Sequence, residues 1–209
     1  MILIGPNRSP YTRRVAIVLN AYGMAYEQQP LSGFDDRAKV RDFNPLGRIP
    51  ALMLDDGELL VDSNAIVDHL DERQRIAHGP DSALVPAAGA DRRAVLRLTA
   101  ILMGVCDKGL QAAYERNHRP AEKVHLPWIE DCVGQIEKAL SHVEAALTDG
   151  HKFLVLGRLS HADIAADLAE RFARGVLKVD TAHRMPRLHA LVQRLRAEAS
   201  AFTVVEHPR

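Results

Sequence analysis

Ala51-Leu52-Met53-Leu54-Asp55-Asp56-Gly57-Glu58-Leu59-Leu60-Val61-Asp62-Ser63 carries two short apolar runs on either side of an Asp-Gly turn signal. Glycine tolerates the backbone angles of a tight turn, so the two runs read as adjacent antiparallel strands. Ser63 then begins a helix, because a hydroxyl there can meet unpaired backbone N–H groups, and Ile66, Val67 and Leu70 lie on one side of it. A ββα unit therefore precedes the breaker-rich stretch that opens at Gly79.

Upstream of that unit the order is different. Ile2 to Ile4 is a short apolar strand ended by Gly5-Pro6-Asn7, and Val15, Ile17, Val18 and Leu19 recur as in a largely buried helix. Gly23 stops that helix, and Tyr26 to Leu31 reads as a weaker second strand, which a helical crossover makes parallel to the first. A short helical segment is expected near Arg37 to Phe43. The order βαβ then ββα is the thioredoxin arrangement, an α/β domain over residues 1–78.

Residues 79–90, Gly-Pro-Asp-Ser-Ala-Leu-Val-Pro-Ala-Ala-Gly-Ala, form a linker of breakers and small side chains, and the rest of the chain has helical period throughout. Residues 91–209 are read as an all-α C-terminal domain with helices at about 91–115, 121–147, 160–173 and 185–199. Ser160 and Asp163 have capping-box spacing, with Leu159 and Ile164 as a hydrophobic staple.

Composition narrows the function. The 209 residues hold 27 Lys plus Arg against 27 Asp plus Glu, so no net field draws in nucleic acid or an anionic membrane. The basic cluster Arg184, Arg187, Arg194 and Arg196 has no recognition motif beside it and reads as a solvated helix face. Cys106 and Cys132 make no CxxC pair, and the ten histidines make no HExxH, so neither a disulfide framework nor a metal site is signalled. No apolar run reaches membrane-spanning length, and a cytoplasmic setting is expected.

Ser9-Pro10-Tyr11-Thr12 lies where the first strand-to-helix loop feeds the helix, beside unpaired N–H groups and the positive end of the helix dipole. It has the shape of a CxxC redox site with Ser and Thr in place of both cysteines, which removes the protein thiolate that disulfide exchange needs. A hydroxyl there can stabilise a substrate's thiolate instead, and each pKa unit of thiol acidification takes about 1.4 kcal/mol, within reach of one charge-assisted hydrogen bond plus the dipole. Locally, Ser9 reads equally well as a plain helix cap. Ile49-Pro50 precedes the third strand. If the bond is cis, the Ile49 backbone faces the first helix; a trans proline at a strand's first residue is the other reading. Arg48 is either a carboxylate contact or a solvated side chain, and Asp62-Ser63 is either a second anion site or a cap.

Together, Ser9 to Val15, Asn44 to Pro50 and Val61 to Ile66 resemble, in order and spacing, three signatures of the cytosolic glutathione transferases, specifically a bacterial serine-type member. The resemblance implies glutathione as co-substrate and makes Ser9 the catalytic group that activates its thiol. Ile49 would pair with the cysteinyl backbone, Asp62 and Ser63 would hold the γ-glutamyl end, and Arg48 would approach the glycyl carboxylate. Asp62 stands where the family commonly has Glu. Transferases that use tyrosine place it earlier than Tyr11, which leaves Ser9 ahead. The second substrate, a small electrophile, is expected in an interdomain pocket. On the first C-terminal helix Met103, Cys106, Asp107, Leu110, Gln111 and Tyr114 recur at spacings that face such a pocket or else simply pack as helix core, and Tyr11 is a further candidate lining residue. The family also implies a homodimer. Glutathione-dependent isomerisation, disulfide reduction and a noncatalytic protein-interaction role stay open.

Overall fold

In the computed structural model, which describes residues 1–204, β1 (Ile2–Ile4) sits inside a four-stranded sheet ordered β2-β1-β3-β4, with β2 at Glu27–Gln29, β3 at Ala51–Met53 and β4 at Leu59–Val61. β1 runs parallel to β2 and antiparallel to β3, and β3 is antiparallel to β4. Leu3 pairs with both Gln28 and Leu52, and Leu52 pairs in turn with Leu60. This is the thioredoxin-like sheet expected from the hairpin and the βαβ crossover. Leu3, Ile4, Ala51 and Leu52 are fully buried, each large apolar side chain contributing about 1.5–3 kcal/mol of transfer free energy. β2 is shorter than the expected Tyr26 to Leu31. Its exposed Glu27 and Gln29 make a polar edge, and Pro30 cannot donate to the ladder.

α1 (Pro10–Ala21) is buried at every position from Thr12 to Leu19, including Arg13 and Arg14. β1 and α3 (Ser63–His78) pack against it, and so does a 3₁₀ turn at Ser200–Phe202. Ala201 and Phe202 are buried, while Asn20 Nδ2 donates to the carbonyls of Ala201 at 3.3 Å and Thr203 at 3.1 Å. The chain accordingly divides into one unit of Met1–Ala83 plus residues 198–204, and a second unit of Leu84–Ala197. This differs from the expected boundary at residues 79–90 chiefly in the tail. Residues 199–204, which follow α8 (Pro186–Glu198), return to the first unit, where Phe202 is buried, a long-range contact that helical periodicity does not encode.

The second unit is all helical. α4 (Gly89–His118) is 30 residues long, about 45 Å. α5 (Leu126–Ala146), α6 (His161–Val176), the short α7 (Thr181–Arg184) and α8 complete it, after a small α2 (Arg37–Val40) in the first unit. The expected helix from Ala121 is instead a 3₁₀ turn at Ala121–Lys123 followed by α5, whose second residue is Pro127. Proline lacks an N–H and suits a helix's first turn, so the helix restarts there. α6 is buried nearly all round, and its start is held by Asp163, whose carboxylate accepts from the Ser160 N–H at 2.9 Å, the Ser160 hydroxyl at 2.6 Å and the Leu154 N–H at 2.7 Å. Burial pushes the Asp163 carboxyl up despite these bonds. Among the described residues no helix is long and apolar enough to cross a membrane.

Candidate functional site

Three local structures in the first unit converge through glycine and proline. β1 ends in Gly5, at φ +125°, where a side chain would be strained. A Cβ on Gly5 would lie 2.6 Å from Thr12 Oγ1 and 3.1 Å from Ile49 Cβ, so the missing side chain lets the β1 end, the first turn of α1 and Ile49 meet. The Ile49–Pro50 peptide bond is cis.

Ser9 caps α1. Its backbone is extended (φ −71°, ψ 126°), Pro10 is the first helical residue, and Ser9 Oγ accepts from the Thr12 N–H at 3.4 Å. A bond of that length is weak, so the half-buried hydroxyl keeps capacity for another partner. Behind it the loop is braced. Arg13 Nε donates to the Asn7 carbonyl at 3.0 Å, and Gln28 Nε2 donates to the Gly5 carbonyl at 2.8 Å and to Asn7 Oδ1 at 3.0 Å.

Asn44 shapes the approach to the cis bond. Its side chain donates to the Arg48 carbonyl at 2.9 Å and accepts from the Leu46 N–H at 3.1 Å, and Gly47 turns the chain at φ +64°. Asn44 is buried, Ile49 half-buried and Arg48 exposed.

Asp62 and Ser63 open α3. Asp62 holds φ +70°, strained for a residue with a Cβ, and its carboxylate accepts from the Asn64 N–H at 2.8 Å. Ser63 is buried, and its Oγ accepts from Arg14 Nη1 at 3.4 Å, while the same nitrogen donates to Asn64 Oδ1 at 2.7 Å. Two helix N-termini, each with a serine, thus belong to one unit and are joined by Arg14 of α1. Both Arg13 and Arg14 escape a sequence reading, because arginines in an amphipathic stretch ordinarily read as solvated.

The residues expected to meet a second substrate are spread over both units. Tyr11 is half-buried on α1. On α4, Met103 and Cys106 are buried, Leu110 is half-buried, and Asp107, Gln111 and Tyr114 are exposed. The stripe therefore divides between core and surface, with the Tyr114 ring edge-on to His118 at 5.4 Å. Cys132, also buried, has its thiol pushed up by that burial. Among the described residues no group of three or more His, Cys, Asp or Glu is placed to hold a metal ion.

A thioredoxin-like sheet with two helix N-termini that carry serines, joined in sequence to an all-helical unit, defines a class of proteins by fold, and helix N-termini of this kind can receive an anion on backbone donors. Comparison with known proteins gives the family. A family model described as "Glutathione S-transferase, N-terminal domain" matches residues 3–80, and one described as "Glutathione S-transferase, C-terminal domain" matches residues 107–199. The chain belongs to the glutathione S-transferase family. It is similar to a glutathione S-transferase of Methylobacillus flagellatus solved with glutathione bound, at 30% identity and TM-score 0.86 over 99% of both chains. It is also similar to one of Methylobacterium radiotolerans solved with glutathione sulfonate, at 28% identity and TM-score 0.87 over 100% of this chain and 95% of the other. Among curated relatives, the maleylacetoacetate isomerase of Pseudomonas aeruginosa is 39% identical over 105 residues, 48% of this chain and 46% of that protein.

Proposed function

We propose that this chain binds glutathione along the N-termini of α1 and α3 and activates its thiol with Ser9. The observation that carries the reading is the Ser9 hydroxyl: half-buried, at the positive end of a 12-residue helix, and spending only a weak 3.4 Å bond on its own cap. Ser9 donates to the glutathione sulfur, the thiol proton leaves to solvent, and the thiolate is held by that bond and by the helix dipole. The thiolate then forms a carbon–sulfur bond to a small electrophile, and the electron pair goes to the leaving group or to the accepting carbon skeleton.

In this reading the Ile49 backbone pairs with the cysteinyl residue, Ser63 and Asp62 receive the γ-glutamyl end, and Arg48 meets the glycyl carboxylate. Tyr11, Met103, Cys106, Asp107, Leu110 and Tyr114 are the residues to vary in a search for electrophile specificity. The chain acts as a homodimer in the cytoplasm, the first of which light scattering tests directly. Ser9→Ala is the deciding variant. Conjugation of a chlorodinitrobenzene probe is expected to fall on the order of 10²-fold, as for loss of one donor to a developing anion, with glutathione binding retained. Unchanged turnover removes Ser9 from the mechanism.

A second reading draws on the similarity to maleylacetoacetate isomerase. The same bound thiolate adds to a conjugated cis double bond, the carbon–carbon bond rotates, and elimination of the thiolate returns the trans product with glutathione regenerated. Turnover of a cis-enone diacid without glutathione consumption separates it from conjugation.

A further inference from the structure

Arg14 is 4% exposed, on the second turn of α1, and its partners at the start of α3 are two neutral oxygens. Bringing a guanidinium so far out of water is costly unless its donors are satisfied. The pattern of donation is chemically one-sided. A guanidinium can only donate, so Ser63 Oγ is fixed as the acceptor of that bond, and the Ser63 O–H proton must point elsewhere. Asn64 is committed in the same direction: its side-chain oxygen takes Arg14 Nη1 at 2.7 Å while its backbone N–H goes to Asp62 at 2.8 Å. The first turn of α3 is thereby clamped to α1, the helix that carries Ser9.

We propose that Arg14 is a positioning residue for glutathione, orienting the Ser63 hydroxyl as a donor toward the carboxylate of the γ-glutamyl group and holding the α3 N-terminus in register with Ser9. This rests on the proposed function, in which Ser63 takes that carboxylate. Arg14 itself does not touch the ligand.

The test is calorimetric titration with two ligands, glutathione and 4-aminobutyryl-Cys-Gly, which is glutathione without that one carboxylate. Proteins are the wild type, Arg14→Met, Asn64→Ala, Ser63→Ala and the double variant Arg14→Met/Ser63→Ala, each checked by thermal melting. Arg14→Met is expected to weaken glutathione about tenfold and to leave the decarboxylated analogue within about twofold of wild type. The double variant is expected to bind glutathione no more weakly than Ser63→Ala, because Arg14 acts on the ligand carboxylate only through the Ser63 hydroxyl it orients. Equal loss for both ligands, or additive losses in the double variant, overturns the inference and makes Arg14 a packing residue. Should Arg14→Met fail to fold, Asn64→Ala decides. Asn64 is exposed and supplies the shorter half of the clamp, so its loss is expected to weaken glutathione about threefold and spare the analogue; unchanged glutathione binding overturns the proposal. Failure of the underlying reading looks different: Ser63→Ala would then bind glutathione as tightly as wild type.

Discussion

At the scale of single residues, the site is built where the backbone is least comfortable. Asp62 is the sharpest case, with a Cβ-bearing residue at φ +70° and a carboxylate caught by Asn64 N–H. Glycine adopts that angle without strain and costs only a few tenths of a kcal/mol as a cap, whereas alanine keeps the strain and loses the cap. Asp62→Gly is therefore expected to be more stable than Asp62→Ala by about 1–2 kcal/mol in urea unfolding. Equal stabilities would show that the angle carries no strain. Thr12 offers the opposite test. Its buried Oγ1 has no hydrogen-bond partner among the described residues, so Thr12→Val exchanges a hydroxyl for a methyl of similar shape. Unfolding free energy is expected to hold or rise by about 1 kcal/mol, with conjugation activity intact. A loss of activity would instead make Thr12 a second thiol donor.

At the scale of elements, much was legible because the signals are local. The Asp-Gly turn, the Ser9 hydroxyl before α1, the Asp62 carboxylate before α3 and the Ser160–Asp163 spacing each act within a single turn of chain, and each of those elements begins there. What was not legible depends on what a segment packs against. Nothing local in the sequence marks Arg13 and Arg14 for burial, yet they are buried, with the Asn7 carbonyl from a loop and Asn64 from a helix 50 residues away among their partners. The α4–α6 contact is another example. Gly109 lies inside α4, where a glycine ordinarily weakens a helix, but a Cβ there would lie 2.5 Å from the Phe172 ring. Helix propensity alone gives Gly109→Ala a gain of about 1 kcal/mol. Overpacking against the buried Phe172 ring costs about 1–3 kcal/mol, so the variant is expected to melt lower than wild type. A higher melting temperature would mean the two helices can separate without penalty.

At the scale of the molecule, charge buried in the helical unit ties its stability to pH. Glu170 is fully buried on α6, and its Oε1 receives Thr181 Oγ1 at 2.6 Å, His189 Nδ1 at 2.9 Å and Arg174 Nε at 3.1 Å. Burial pushes the carboxyl up, but the bonds from Thr181 and His189 and the Arg174 charge outweigh it and leave Glu170 below its ordinary value. A carboxyl depressed in the folded state stabilises above its unfolded value of about 4.3, and that stability drains as pH falls through the lower folded value. Glu170→Gln should thus be less stable than wild type at neutral pH, and the gap should close below about pH 4. A gap that stays constant as the solution is acidified would show that the carboxylate's charge contributes nothing.

The return of residues 198–204 to the first unit bears on how the protein is made. A ribosome releases α1 early, yet the 3₁₀ turn that packs on it emerges only after the whole helical unit, so the unit bearing Ser9 stays unfinished until Ser200–Phe202 has been made. Phe202→Ala, expected to cost about 3 kcal/mol, mimics that unfinished state. Nascent chains stalled within α8 would expose α1 to proteases and chaperones, and a ligand that needs the completed first unit would not rescue them. Completion of the cover over the first helix therefore waits on synthesis of the helical unit that intervenes in the chain.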